Sequence, residues 1–220
     1  MQQTASDSVT HSDDWEYVAS AYAWFAQKNG SVETDNVVLT LDDPDESTGA
    51  FLYFSGRKGN WGFLADFDYI STEDGASAPG GTAVVEEESI IAELDATWSP
   101  TQAPTLRILA GIRVLDSEQD IRFPLLPPQT IDTTLIDPVI GAQGTWQLSD
   151  TIVFRIRGDI GGFGLDSDFT YQGFGVFAWE FVPHWYATLG YRVLGWEFED
   201  DGVRNDLRLS GGLLGVAAKF

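Results

Sequence analysis

The sequence contains no cysteine, which excludes disulfides, thiolate catalysis and cysteine-ligated metals. It has one methionine, Met1, and only two histidines, His11 and His184. No apolar run approaches the roughly 20 residues that a membrane-spanning helix requires. Positive charge is scarce, with 12 basic residues against 34 acidic ones and a formal net charge of −22. A field of that sign does not attract nucleic acid or anionic head groups. The opening Met1-Gln2-Gln3-Thr4 has no apolar core of a signal peptide, so an exported chain would have lost its leader before this numbering begins. Aromatic residues, by contrast, are abundant at 13% of 220 residues, which argues against disorder.

After a polar arm over residues 1–14, the chain alternates apolar and polar residues with period two, the pattern of half-buried strands. Ten segments are predicted: 15–28, 48–57, 61–72, 86–98, 105–117, 131–146, 151–161, 169–181, 185–198 and 206–220. A short helix or strand is possible within 34–41. Residues 15–220 are read as one all-β domain, an antiparallel up-and-down barrel of ten strands, with eight as the alternative.

The connections alternate in length. Lys58-Gly59-Asn60, Ser99 to Pro104, Gln147 to Asp150 and Val182-Pro183-His184 are tight, turn-type links. Residues 29–47, 73–85 and 118–130 are read as long loops. They carry acidic runs such as Asp42-Asp43-Pro44-Asp45-Glu46. Short turns at one end and long loops at the other characterise outer-membrane barrels, and an even strand number places both termini at the short-turn end.

The tryptophans follow the same plan. Trp15, Trp61, Trp98, Trp146, Trp179 and Trp185 all fall beside short turns and would form one ring. Trp24 and Trp196 lie about ten residues further along their strands, a spacing that fits the second interface of a membrane. All eight are therefore expected to be interface aromatics.

The alternating faces divide by chemistry. Ile152, Phe154, Ile156 and Ile160 oppose Arg155, Arg157 and Asp159. Trp61, Phe63, Phe67 and Tyr69 oppose Asp66 and Asp68. Charge facing lipid near mid-bilayer would cost ~2–4 kcal/mol for a basic residue, so the charged faces are expected to line the lumen. Its basic lining would be Arg57, Arg107, Arg113, Arg155, Arg157 and Arg192. Its acidic lining would be Glu16, Asp66, Asp68, Glu93, Asp95, Asp137, Asp159 and Glu180. Planar guanidinium groups suit carboxylate partners, so an internal ion-pair network is the leading expectation. A narrow charged pore is the alternative.

The chain ends Gly215-Val216-Ala217-Ala218-Lys219-Phe220, a strand finishing on a terminal phenylalanine. With Gly56-Arg57-Lys58-Gly59-Asn60-Trp61-Gly62, Arg157-Gly158-Asp159-Ile160-Gly161-Gly162 and Leu189-Gly190-Tyr191-Arg192, it resembles a family of small Gram-negative outer-membrane β-barrels, similar in general character to OmpA and OmpW barrels and largely without assigned function. The resemblance covers residues 48–72 and 137–220 best. It implies residence in the bacterial outer membrane and contact with lipid and lipopolysaccharide. It also implies handling by the barrel-assembly machinery, with Phe220 as the assembly signal. It carries over no catalytic residue, and no cofactor or metal is expected. His11 in the arm and His184 in a short turn are badly placed for acid–base work at the far rim, so an enzyme is not expected. The functional readings are a structural envelope protein with a charge-filled lumen, a narrow porin-like channel for small solutes, and a surface binder acting through acidic loops.

Overall fold

The computed structural model describes residues 14–34, 37–42, 47–78, 81–103, 105–122, 127–200 and 203–220. Residues 1–13 of the polar arm and residues 43–46 of the acidic run lie outside the described residues. Among the described residues there is no helix. The β-branched and aromatic segments form eleven strands: β1 (Glu16–Thr34), β2 (Val37–Asp42), β3 (Ser47–Lys58), β4 (Trp61–Ala78), β5 (Gly81–Trp98), β6 (Leu106–Arg122), β7 (Gln129–Gln147), β8 (Ile152–Gly162), β9 (Phe169–Val182), β10 (Trp185–Asp200) and β11 (Val203–Lys219).

Apart from β2 and β3, neighbours in sequence pair in antiparallel fashion, and β11 returns to pair with β1 from Val18↔Lys219 to Glu33↔Arg204, which closes the sheet. The ring has ten positions because β2 and β3 share one. β1 pairs β3 from Glu16 to Ala26 and β2 from Asn29 to Thr34. Closure continues through the last residue. The Tyr17 amide donates to the Phe220 carbonyl at 2.8 Å, and the Phe220 amide donates back to Tyr17 at 3.0 Å. The two rings stack at 5.7 Å.

One end carries the expected short turns at 59–60, 99–105, 148–151 and 183–184, together with Phe220. The turn at 59–60 uses Gly59 at φ 58, and the turn at 183–184 holds His184 at φ 70. The other end differs from expectation. The described residues within 29–47, 73–85 and 118–130 are mainly strand, not long loop. β4 runs to Ala78 and β5 restarts at Gly81, β6 reaches Arg122, and β2 occupies 37–42. Here the extended chain keeps its ladder pairing, β4 with β5 as far as Ala78↔Gly81 and β5 with β6 as far as Val84↔Arg122. The β7–β8 ladder stops at Val139↔Gly161, whereas β6–β7 continues to Ile121↔Gln129. The rim is therefore lower at β8 than at β6 and β7.

Side chains alternate cleanly across the wall. On β8, Ile156 and Ile160 are 47% and 45% exposed on the outside, and Arg157 and Asp159 are buried inside. The outside is a continuous apolar surface that includes Leu52, Leu94, Ile112, Ile140 and Leu189. Trp15, Trp61, Trp98, Trp146, Trp179 and Trp185 are all exposed on it near the short-turn end.

Candidate functional site: a layered lumen

The inside of the barrel is stacked in four layers. Nearest the long-hairpin end, inward positions are polar, with Lys28 paired to Glu87 and the Ser89 hydroxyl donating to Ser117 at 3.0 Å. The next layer is apolar. Trp24, Phe51, Ile70, Ile91, Leu115, Leu135, Leu194, Trp196, Phe198 and Leu213 form one buried cluster. Below it lies a layer of ion pairs. Between that layer and the short turns is a cavity of about 430 Å³.

The ion-pair layer forms because inward positions of β4, β5, β6, β8 and β10 carry charge at matching heights. Arg113 Nε donates to Glu93 Oε2 at 2.8 Å, and Arg113 Nη1 donates to Thr170 at 3.1 Å. Arg113 also pairs with Asp159. Arg157 Nε donates to Asp159 Oδ2 at 2.9 Å, and its Nη2 reaches Asp95 at 3.0 Å. Arg157 pairs with Glu93 as well. Gln172 donates to Asp159 at 3.1 Å. A second cluster has Arg192 donating to Asp68 at 3.0 Å, with Asp66 at 3.7 Å.

Three arginines thus face five carboxylates. In the β4–β5 ladder Asp66 stands directly opposite Glu93, a like-charge pair that alone would be destabilising. Arg192 on one side and Arg113 with Arg157 on the other neutralise it. Burial of such pairs requires this geometry, because a charge left without its partner costs several kcal/mol. Arg192 also lies over the rings of Phe51, at 4.8 Å, and Trp24, at 5.4 Å, linking the ionic and apolar layers.

The carboxylate pairs Asp66/Asp68 and Glu93/Asp95 are held by arginine and are at most 6% exposed, which leaves a substrate no approach to them. Among the described residues, no group of three or more acidic or histidine side chains is arranged to hold a metal ion.

Other sequence-predicted residues fall elsewhere. Arg57, Arg107 and Arg155 line the cavity below the ionic layer, together with Glu16. Asp137 lies outside the central network. It accepts hydrogen bonds from the Ser167 amide at 2.9 Å and the Ser167 hydroxyl at 2.7 Å, pinning the β8–β9 connection to β7. Glu180 caps a turn at the rim, accepting from the His184 amide at 2.8 Å.

Trp24 and Trp196 require correction. They are not interface aromatics but lumen residues, 0% and 2% exposed. Trp24 shares its face of β1 with Glu16, and Trp196 shares its face of β10 with Arg192. The rings exposed outside toward the long-hairpin end are instead Phe25, Tyr69, Phe169 and Tyr191. The apolar layer was not foreseen. Its signal is a set of doublets that interrupt the alternation, among them Tyr69-Ile70, Ile90-Ile91, Leu135-Ile136 and Leu213-Leu214.

No protein-family model matches the chain, and no characterised protein matches it by sequence. Solved structures do match it along nearly its whole length. The outer-membrane protease OmpT of Escherichia coli aligns with a TM-score of 0.54 at 8% identity, over 97% of this chain and 99% of that one. The translocator domain of the autotransporter NalP of Neisseria meningitidis gives 0.52 at 12% identity, over 96% and 90%. Ail, the attachment invasion locus protein of Yersinia pestis, gives 0.48 at 9% identity, over 95% and 100%. At such identities the likeness is one of architecture: this chain has the fold of the bacterial outer-membrane β-barrels.

Proposed function

We propose that the protein is an integral outer-membrane barrel with a closed lumen, serving the envelope structurally and not as an open pore. In this reading the short turns and Phe220 face the periplasm and the long hairpins at the other end, such as β4–β5 and β6–β7, face outward. The partners are lipid, lipopolysaccharide and, during biogenesis, the assembly machinery that engages Phe220.

The outer surface supports the membrane setting. Eight residues separate Trp61 from Tyr69 and Trp179 from Tyr171. At ~3.3 Å per residue and a strand tilt of about 35–45°, these aromatics are roughly 20 Å apart along the barrel axis, close to the apolar band of such barrels.

The observation that carries the closed reading is the stacking of Trp24 and Trp196, with their neighbours, on the Arg113–Arg157–Arg192 layer. The apolar layer excludes hydrated ions by dewetting, and the layer below it is cross-linked. The test is planar-bilayer recording of the refolded protein, with insertion verified independently. Inserted wild type is expected to be electrically silent. Steady openings would overturn this reading in favour of a narrow channel, which the cavity at the short-turn end would then serve as a vestibule. Replacing Arg155 and Arg157 by serine would in that case change the size or selectivity of the openings.

A further inference from the structure

The cavity of about 430 Å³ at the short-turn end has an unusual charge for this molecule. The whole chain has only 12 basic residues. Four of them, Arg57, Arg107, Arg155 and Lys219, line this one space, with Glu16 as the lone carboxylate. Arg57 pairs with Glu16 at 2.7 Å, and Lys219 approaches the same oxygen at 4.0 Å. That single carboxylate is therefore shared by two cations already.

Arg107 and Arg155 have no ion pair among the described residues. Arg107 lies within electrostatic reach of Tyr53, Arg155, Arg57 and Glu16, so three guanidinium groups gather around one carboxylate. Arg155 is oriented by Tyr53, whose ring lies 5.3 Å from the guanidinium, and its buried Nε has no hydrogen-bond partner. Elsewhere in the lumen, Arg113, Arg157 and Arg192 each meet carboxylates directly. The contrast is the informative point. Gathered guanidinium groups repel one another and retain unused donors until an anion joins them.

The rest of the wall is mixed: Val153, Phe174, Val176 and Ala178 make an apolar side on β8 and β9, and serine, threonine, glutamine and tyrosine side chains line much of the remainder. The volume falls within the ~300–1,000 Å³ typical of small-molecule sites, which combine an apolar lining with a few placed polar groups. The mouth is at the short-turn end, where Glu16, Arg57 and Lys219 are partly exposed.

We propose that this cavity is a binding site for a small amphipathic organic anion. Its phosphate or carboxylate head is held by Arg107 and Arg155, and its apolar body lies on Phe174 and Val176. Access from the periplasm rests on the outer-membrane orientation above. Binding itself does not, since it concerns a cavity that persists whether or not the lumen conducts.

The test is isothermal titration calorimetry on the full chain folded in a neutral detergent at low salt. The probes are phenyl phosphate, inorganic phosphate and benzyl alcohol. Phenyl phosphate is expected to bind with 1:1 stoichiometry, at least tenfold more tightly than either comparator. Arg107→Gln combined with Arg155→Gln should weaken it at least tenfold. Neither residue belongs to the ion-pair layer, and unchanged heat-modifiable gel mobility would show that the variant folds. If the double variant does not fold, Arg107→Gln alone should still weaken binding at least threefold. Absence of saturable heat, unchanged affinity in the folded variant, or equal binding of inorganic and phenyl phosphate would each overturn the proposal. Calorimetry in detergent is indifferent to conductance, so failure here and failure of the closed-lumen reading are separate results.

Discussion

Arg157→Met is the most incisive single perturbation of the ion-pair layer. The Arg157 side chain is fully buried and meets Glu93, Asp95 and Asp159. Methionine keeps much of its length without the charge. By formal charge Arg113, Arg157, Glu93, Asp95 and Asp159 sum to one net negative charge, and the variant cluster to two, in a buried space. Removing one partner of a buried pair costs ~3–5 kcal/mol. The three carboxylates share one guanidinium and their losses do not add, so the cost is taken once, at ~4 kcal/mol. With a guanidinium-chloride slope of ~4 kcal/mol per molar, the unfolding midpoint should fall by about 1 M. Asp95 has no other ion pair among the described residues. Adding Asp95→Asn to Arg157→Met should therefore recover roughly half of the loss, ~2 kcal/mol. The assay is guanidinium unfolding in micelles followed by circular dichroism, with slopes compared between variants. A midpoint shift below about 0.25 M, unaffected by Asp95→Asn, would mean that water solvates these carboxylates. The dry, cross-linked lumen would then be refuted.

Two further outcomes are expected. His184 sits at φ 70, a left-handed conformation that costs an L-residue ~1–2 kcal/mol. Glycine removes that strain and gives back about 0.5–1 kcal/mol through its freer unfolded chain. His184→Gly should thus raise stability by ~0.5–1 kcal/mol in the same unfolding assay, and a decrease would contradict the turn geometry. Asp137→Ala removes two hydrogen bonds to buried Ser167, at ~1.5–3 kcal/mol for bonds to a charged group. The connection it releases contains Phe163 and Leu165, 57% and 71% exposed, and should become sensitive to chymotrypsin. Resistance equal to wild type would show that Asp137 does not hold it.

Period-two alternation is legible only where the two faces of a strand meet different surroundings. Over Trp61–Tyr69 and Ile152–Ile160 one face is apolar and the other charged, and the strands and their inward sides follow directly. At the long hairpins successive residues are polar, as in Glu118-Gln119-Asp120. Such segments look like loops in sequence, yet a hairpin ladder needs only backbone groups to continue. In the apolar layer both faces are apolar, and doublets such as Ile90-Ile91 hide which member points inward. Parity resolves them. Glu16 and Trp24 are eight residues apart, and Arg192 and Trp196 four, so on unbulged strands each pair shares a face. A lumenal Glu16 and an interfacial Trp24 are therefore incompatible.

The ion pairs divide by the same logic. Glu93 faces Arg113 directly in the β5–β6 ladder, a contact that hairpin register alone can supply. Arg157 and Asp95 lie on β8 and β5, which are not neighbours. Their meeting depends on the radius and shear of the closed ring, quantities that belong to all ten positions at once. The same holds for the cavity below them. Which arginines find carboxylates across the lumen, and which are left facing an open space, is decided by closure. That Arg107 and Arg155 meet no carboxylate among the described residues is thus a property of the barrel, not of the strands that carry them.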